Sequence, residues 1–229
     1  MNSQDKPNAS SQDSGAFERE QKLRFLLDQV SFDTSDLRFD GEDLEERVRY
    51  WLTPQNDTVS LNFFSKQPDL PTSRNIDDFT QHINSMLGEV KGRLVEQDIR
   101  AFDFFHAVRQ IVNFPNPNRY HGLVYIGSWI IPFKTLSYVV KVQCVEEGTT
   151  GVREALLFAT GRAGSAGHRF EDNQVIMPDW NPDAAEFDAE FPTHPLSRLR
   201  PAMARLQASL RISASLKNCL PFPLPEPAH

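Results

Sequence analysis

Cysteine is scarce in this chain. Only Cys144 and Cys219 occur among its 229 residues. Two cysteines are too few for a disulfide framework or for a zinc site built from thiolates. We therefore expect a protein of the reducing cytoplasm.

Positive charge and long apolar runs are also in short supply. Lys and Arg number 24 against 31 Asp and Glu, which gives a formal net charge of -7. Nucleic-acid binding relies on clustered Lys and Arg, so this balance argues against a nucleic-acid partner. The uncharged run 122–133 has twelve residues and a proline, whereas a helix that spans a bilayer needs about 20 apolar residues. The sequence predicts a soluble protein without membrane contact.

The chain also lacks the short motifs that mark common active sites. It contains neither Gly-x-Ser-x-Gly nor His-Glu-x-x-His, and the glycine-rich stretch 161–167 lacks the Lys-Ser/Thr ending of a phosphate-binding loop. We therefore predict no catalytic residue and no cofactor. We also predict no metal, since no two of the six histidines are spaced as metal ligands. These histidines are His82, His106, His121, His168, His194 and His229.

Alternating apolar residues predict most of the β-strands. Segments 47–53 and 58–65 both alternate, and the turn formers PQND between them predict a hairpin. Further apolar stretches follow with short, turn-rich connections, as antiparallel neighbours require. Segments 23–30 and 104–114 fit both a helix and a strand; we assign the first to a helix and the second to a strand.

Apolar residues at helical spacing predict helices after the hairpin and after the last strand. Asn75 is expected to cap a helix that stops at Gly92. Thr149 or Thr150 is expected to cap a second helix, in which Val152, Ala155, Leu156 and Ala159 share one face.

A third helix is predicted near the C-terminus from alternating spacings of three and four. Pro201 fits only a first turn, so we expect this helix to begin near Arg198 or to kink. The apolar residues of its face are Leu196, Leu199, Met203, Leu206 and Leu210.

The chain divides into one core domain with appended segments. We assign 17–163 to an α+β core and 195–213 to a C-terminal helix packed on it. The remaining segments are a disordered tail at 1–16, an acidic linker at 164–194 and an extended Pro-rich tail at 214–229.

The stretch CVEEGTTGVREA, residues 144–155, carries the most chemically reactive side chains in a row. Alternation along the preceding strand places Cys144 on the same face as Tyr138, Val140 and Val142, which predicts a core thiol rather than a nucleophile. Arg153 is left without a structural role, beside Glu147 and Glu154, where it would form a surface ion pair or a recognition point.

The run 122–133 is apolar on both faces. One face carries Tyr125 and Trp129, and the other carries Val124, Ile126 and Ile130. An antiparallel strand usually has one wet face, so we expect the second face to be covered by a helix or by a tail, or to be a partner surface. Of these, we favour coverage by the C-terminal helix.

The element order resembles a known fold family. The segments RVRYWLTPQNDTVSLNFFS, NIDDFTQHINSMLGEV and YIGSWIIPFKTLSYVVKVQC are similar in order and texture to the PsbP extrinsic photosystem proteins, the DcrB-like bacterial proteins and the Ran-binding nuclear import factors. The resemblance covers about 44–159. It implies an α+β fold with an antiparallel sheet of about five to six strands packed by helices, and a non-catalytic role in binding or assembly.

Three functions remain open at this stage. The first is a soluble, bacterial-type adaptor or accessory factor that binds another protein through Trp129, Tyr138, Arg153 and Glu147, since Trp, Tyr and Arg are favoured interface anchors. Alanine at Trp129, Tyr138 or Arg153 would then weaken binding and leave the fold intact.

The alternative is a small-molecule enzyme, a hydrolase or transferase, with a pocket near Cys144 and His121 and with Glu146 or Glu147 as acid or base. A carrier of an apolar ligand is a third possibility.

Overall fold

A computed structural model describes residues 9–162, 169–171, 174–176 and 181–227. Within them, the helices are α1 (Ala9–Leu27), α2 (Ile76–Glu89), α3 (Val152–Ala159) and α4 (Pro195–Ser209). The strands are β1 (Val30–Ser31), β2 (Arg38–Asp43), β3 (Val48–Leu52), β4 (Thr58–Phe64), β5 (Arg93–Ala101), β6 (His106–Pro115), β7 (Leu123–Pro132), β8 (Ser137–Val145), β9 (Arg169–Glu171), β10 (Gln174–Ile176) and β11 (Arg211–Ile212).

The main sheet confirms the predicted α+β class. Seven antiparallel strands lie in the order β2-β3-β4-β8-β7-β6-β5. The sheet has seven strands instead of the predicted five to six. The edge strand β2 was missed because its sequence, RFDGED, has one large apolar residue, Phe39, and therefore shows no apolar alternation. Its ladder is interrupted by a bulge between Phe39 and Gly41.

The β3–β4 hairpin is confirmed. Its turn places Asn56 at a φ of 61°, and the Thr53 hydroxyl accepts the Asp57 amide at 3.0 Å. Asn tolerates the left-handed region better than most residues, so the turn chemistry agrees with the backbone.

Helix α2 is also confirmed. The Asn75 side-chain oxygen accepts the amides of Asp77 and Asp78, at 2.8 and 3.2 Å. The chain leaves the helix at Lys91, where φ is 55°, one residue before the predicted stop at Gly92.

Helix α4 begins at Pro195, the first residue of the assigned C-terminal helix 195–213. Pro195 occupies its first turn and His194 caps it, so Pro201 lies inside the helix. Of the two alternatives for Pro201, the start near Arg198 is wrong and the kink stays a prediction. The predicted apolar face is confirmed, since Leu196, Leu199, Ala202, Met203 and Leu206 are buried.

This helix packs closely on the sheet. A Cβ at Gly127 of β7 would lie 2.8 Å from the Met203 sulfur, so a glycine is needed at the crossing.

The second face of the sheet is covered by α2 and the C-terminal segment rather than by α4. Phe222 and Leu224 pack with Phe79, Val108 and Ile130 in a separate core cluster. The favoured expectation, coverage by the C-terminal helix, is therefore wrong, whereas the alternative of another helix or the tail is confirmed. Part of the Pro-rich tail is extended and packed, and an isolated bridge joins Phe133 to Pro221.

The two ambiguous segments are resolved as predicted. Helix α1 continues through Leu27, and His106–Pro115 is strand β6. Helix α1 begins at Ala9, inside the predicted tail, and residues 1–8 lie outside the described residues. No described helix has the length and apolar character needed to cross a membrane.

Of the predicted linker, residues 181–194 pack on the domain. Phe187 lies buried against Leu157 of α3, with Ala184 and Phe191 beside it. Residues 163–168, 172–173 and 177–180 lie outside the described residues, as does most of the glycine-rich stretch 161–167.

Candidate functional site

Three of the four predicted contact residues are buried. Trp129 is 0% exposed, and its indole N–H donates to the Met203 carbonyl at 3.2 Å. The Tyr138 hydroxyl is likewise buried and donates to the Leu26 carbonyl at 2.9 Å. Neither side chain is placed to touch a partner directly, because each belongs to the packing between the sheet and the helices.

Arg153 has a different partner from the one predicted. Its side chain is fully buried and forms an ion pair with Asp188 at 2.9 Å, instead of a surface pair with Glu147 or Glu154. The guanidinium also donates to the carbonyls of Pro182 and Ala184, at 2.6 and 2.7 Å. Arg153 therefore fastens α3 to the segment 181–194. Glu147 is the one predicted contact residue that is exposed.

The start of α3 also differs from the prediction. Neither Thr149 nor Thr150 caps it; the N-cap is Gly151, with a φ of 73°. The Glu146 carboxylate accepts the Gly151 amide at 3.0 Å and the Leu123 amide at 3.1 Å. Glu146 thereby ties the loop before α3 to the first residue of β7.

Cys144 lies in the core, as its strand position predicts. It is buried, and burial raises the pKa of its thiol far above the ordinary value. A thiol that stays protonated at neutral pH is a poor nucleophile, so the observed setting does not favour an enzyme built on Cys144. The described residues hold no group of three His, Cys, Asp or Glu that is arranged to bind a metal.

Helix α3 exposes most of its apolar side chains and buries an arginine. Its buried side chains are Arg153 and Leu157, whereas Val152, Leu156 and Phe158 are 41%, 50% and 55% exposed. A surface helix normally buries its apolar stripe and exposes its charges. The exposed apolar side chains are called the α3 face below: Val152, Ala155, Leu156, Phe158 and Ala159.

A cavity of about 240 Å³ opens beside the α3 face. Its lining combines two carboxylates and the Arg153 side chain with hydroxyl, imidazole and apolar groups, among them Glu146, Glu147, Thr149, Val152, Phe191 and His194. Val152 belongs both to this cavity and to the α3 face, so the two surfaces are continuous.

A buried polar layer lies beneath this surface. His194 lies against Tyr125 of β7, with ring centroids 5.4 Å apart. Burial raises the pKa of Tyr125 far above its ordinary value, and the negative charges of Asp183 and Glu154 act in the same direction. Burial also raises the pKa of Glu154.

Several buried polar atoms in and beside this layer have no hydrogen-bond partner among the described protein residues. The atoms are Asn113 Nδ2, Tyr125 Oη, Glu154 Oε2, Asp183 Oδ1 and His194 Nε2.

The tautomer of His194 follows from its role as a helix cap. Its Nδ1 accepts the Leu196 amide at 3.2 Å, so in the neutral ring the proton is on Nε2. Burial and the positive charge of Arg153 lower the pKa of His194 to about 4. Among the other charged groups facing it, Arg198 acts in the same direction, and Asp183 and Asp188 oppose the shift.

The neutral His194 predicts a loss of stability in acid. The unfolded chain takes up a proton as the pH falls below about 6.5, whereas the folded ring stays neutral until about pH 4. The free energy of unfolding is therefore expected to fall between pH 6.5 and 4. This residue contributes about 2 kcal/mol of that loss between neutral pH and pH 5.

Urea unfolding across this pH range measures the effect, with His194→Asn as the comparison. Asn keeps the capping acceptor and removes the titrating ring. We expect the free energy of unfolding of the variant to depend less on pH. The contributions of other titrating groups cancel when the two proteins are compared. Identical profiles for the two proteins would contradict the assigned protonation state.

Comparison with known proteins finds solved structures of similar fold but does not assign this chain to a family. No family model matches the chain, and no curated protein matches it either. The predicted resemblance to PsbP and DcrB-like proteins therefore stays a prediction.

Eleven chains among the solved structures show a likeness to this chain, among them the three that follow. The Ran-binding protein Mog1p of Saccharomyces cerevisiae is 10% identical, with a TM-score of 0.45 over 82% of this chain and 93% of that chain. A Mog1 point mutant is 10% identical, with a TM-score of 0.46 over 82% and 94%. LpqN, involved in cell envelope biogenesis of Mycobacterium tuberculosis, is 12% identical, with a TM-score of 0.29 over 58% and 78%.

Proposed function

We propose that this protein is an adaptor or accessory factor that binds another protein through the α3 face. The observation that carries the proposal is the orientation of α3, which buries its arginine and exposes Val152 and Leu156. Fully burying a Val or Leu side chain contributes roughly 1.5–3 kcal/mol, so an occupied α3 face is favoured over a solvated one. Docking of an apolar helix face into a partner's groove is a recurring mode of recognition.

The attachment of α3 supports the same proposal. Arg153 and Glu146 hold the helix and its preceding loop through hydrogen bonds of 2.6–3.1 Å. A helix that is fixed before binding loses little conformational freedom when a partner docks. The proposal places the protein in the cytoplasm, where the free thiols Cys144 and Cys219 stay reduced.

The test is affinity capture from the native host with Leu156→Asp. The new carboxylate would be buried against the partner's apolar surface, so recovery of specifically bound proteins is expected to fall at least about tenfold. Recovery is measured by quantitative mass spectrometry, with circular dichroism to show that the fold is retained.

Leu220→Asp is the matched control, because Leu220 is 64% exposed and lies outside α3. It makes the same chemical change and should leave recovery unaltered. Equal recovery with Leu156→Asp and with the unaltered protein would refute docking on the α3 face.

A further inference from the structure

The cavity beside the α3 face differs from that face in charge. The Glu147 carboxylate is exposed, and no ion-pair partner for it occurs in residues 9–162, 169–171, 174–176 and 181–227. Glu146 lies deeper, and both its carboxylate oxygens accept backbone amides rather than pairing with a cation. Arg153 is the one cation among the described residues that line the cavity, so carboxylates outnumber cations there by two to one.

The neighbouring arginines do not neutralise these carboxylates. Arg198 interacts electrostatically with Glu147, but its guanidinium is held by Asp57 through two hydrogen bonds of 2.9 Å. The Arg153 guanidinium is buried and is occupied by Asp188 and two carbonyls. Both positive charges are thus already paired, and neither is free to receive an anionic ligand.

The walls of the cavity suit the stem of a long side chain. Val152, Phe191 and Pro195 supply apolar surface, and Thr149 adds a hydroxyl acceptor. Lys and Arg side chains bury an apolar stem while keeping the charged end near polar groups. An acidic side chain would instead meet Glu147 and Glu146 and be repelled.

We infer that the partner's docking segment carries a basic side chain, Lys or Arg, which enters this cavity and pairs with Glu147 while apolar neighbours pack on the α3 face. This inference rests on the proposed function and adds the chemistry of the partner. The docking segment is basic and apolar, and it complements a chain whose net charge is -7.

Selection of a phage-displayed random peptide library on the immobilised protein tests the inference. We expect enriched peptides to contain Lys or Arg close to Leu, Ile, Val or Phe. Affinity of a selected peptide, measured by fluorescence anisotropy, should fall about three- to tenfold with Glu147→Gln and weaken as salt increases. The control Glu45→Gln makes the same isosteric change at another exposed glutamate and should leave affinity unchanged.

The variants separate this inference from the proposed function. Peptides that require Leu156 but show no basic preference, or keep their affinity in Glu147→Gln, overturn the inference and leave docking on the α3 face intact. Absence of enrichment, or binding that Leu156→Asp does not weaken, counts against both.

Discussion

Substituting Trp129 by alanine is expected to lower the free energy of unfolding by about 3–5 kcal/mol. The side chain is fully buried between the sheet and α4, so alanine leaves a cavity that the surrounding side chains fill only in part. The change also removes the hydrogen bond to the Met203 carbonyl and an edge-on contact with Phe102, whose ring centroid lies 5.6 Å away. Urea unfolding at neutral pH measures the loss.

Trp51 provides the matched control. It is partly buried near the edge of the sheet, against Phe32 and Phe39, and should cost less when changed to alanine. A loss below about 1 kcal/mol for Trp129→Ala would contradict the core assignment. A typical domain has only about 5–15 kcal/mol of stability, so Trp129→Ala is expected to remove a large fraction of it. A binding experiment with that variant would therefore mix a loss of stability with any loss of contact.

Substituting Arg153 by alanine is expected to release α3 together with the segment 181–194. The change leaves the carbonyls of Pro182 and Ala184 unpaired and removes one of the two arginines on Asp188. Breaking a buried ion pair costs about 3–5 kcal/mol, and Arg200 remains on Asp188, so we expect about 2–4 kcal/mol here.

Hydrogen exchange distinguishes local release from global unfolding. Amides of Val152–Ala159 should exchange faster in the variant, while those of β6 and β7 keep their protection. Arg100→Ala is the control, because Arg100 forms an exposed pair with Asp98 that contributes little. Unchanged protection of α3 would show that Arg153 does not hold the helix.

Periodicity predicted much of the fold because it depends only on neighbouring residues. Alternation placed Cys144 and Tyr138 on the buried face of β8, and spacings of three and four placed Leu199 and Met203 on the buried face of α4. The start of α4 had a local signal too. Proline is favoured in the first turn of a helix, and Pro195 supplied it, preceded by the cap His194.

The candidate site was less predictable because distant residues determine it. The spacing of apolar residues predicts helix α3, but which side faces inward depends on Asp188 and Pro182, about thirty residues later in the chain. The N-cap of α3 is Gly151, which has a positive φ, and the predicted caps Thr149 and Thr150 precede it. The position of Trp129 could not be decided from the sequence. An indole ring is apolar and carries one N–H donor, so it suits both a buried site with a hydrogen-bond acceptor and an interface with a partner.

The packing of Phe222 and Leu224 has a consequence for biosynthesis. Both residues are synthesised after every strand of the main sheet, yet they complete the cluster that covers Val108 and Ile130. A chain that stops before Phe222 has α2 in place but lacks the residues that complete this cluster. Part of the apolar face then stays accessible to chaperones and proteases, even when the whole sheet has formed. Burial of the sheet on the α2 side is therefore completed only after the C-terminal segment has been synthesised and has packed.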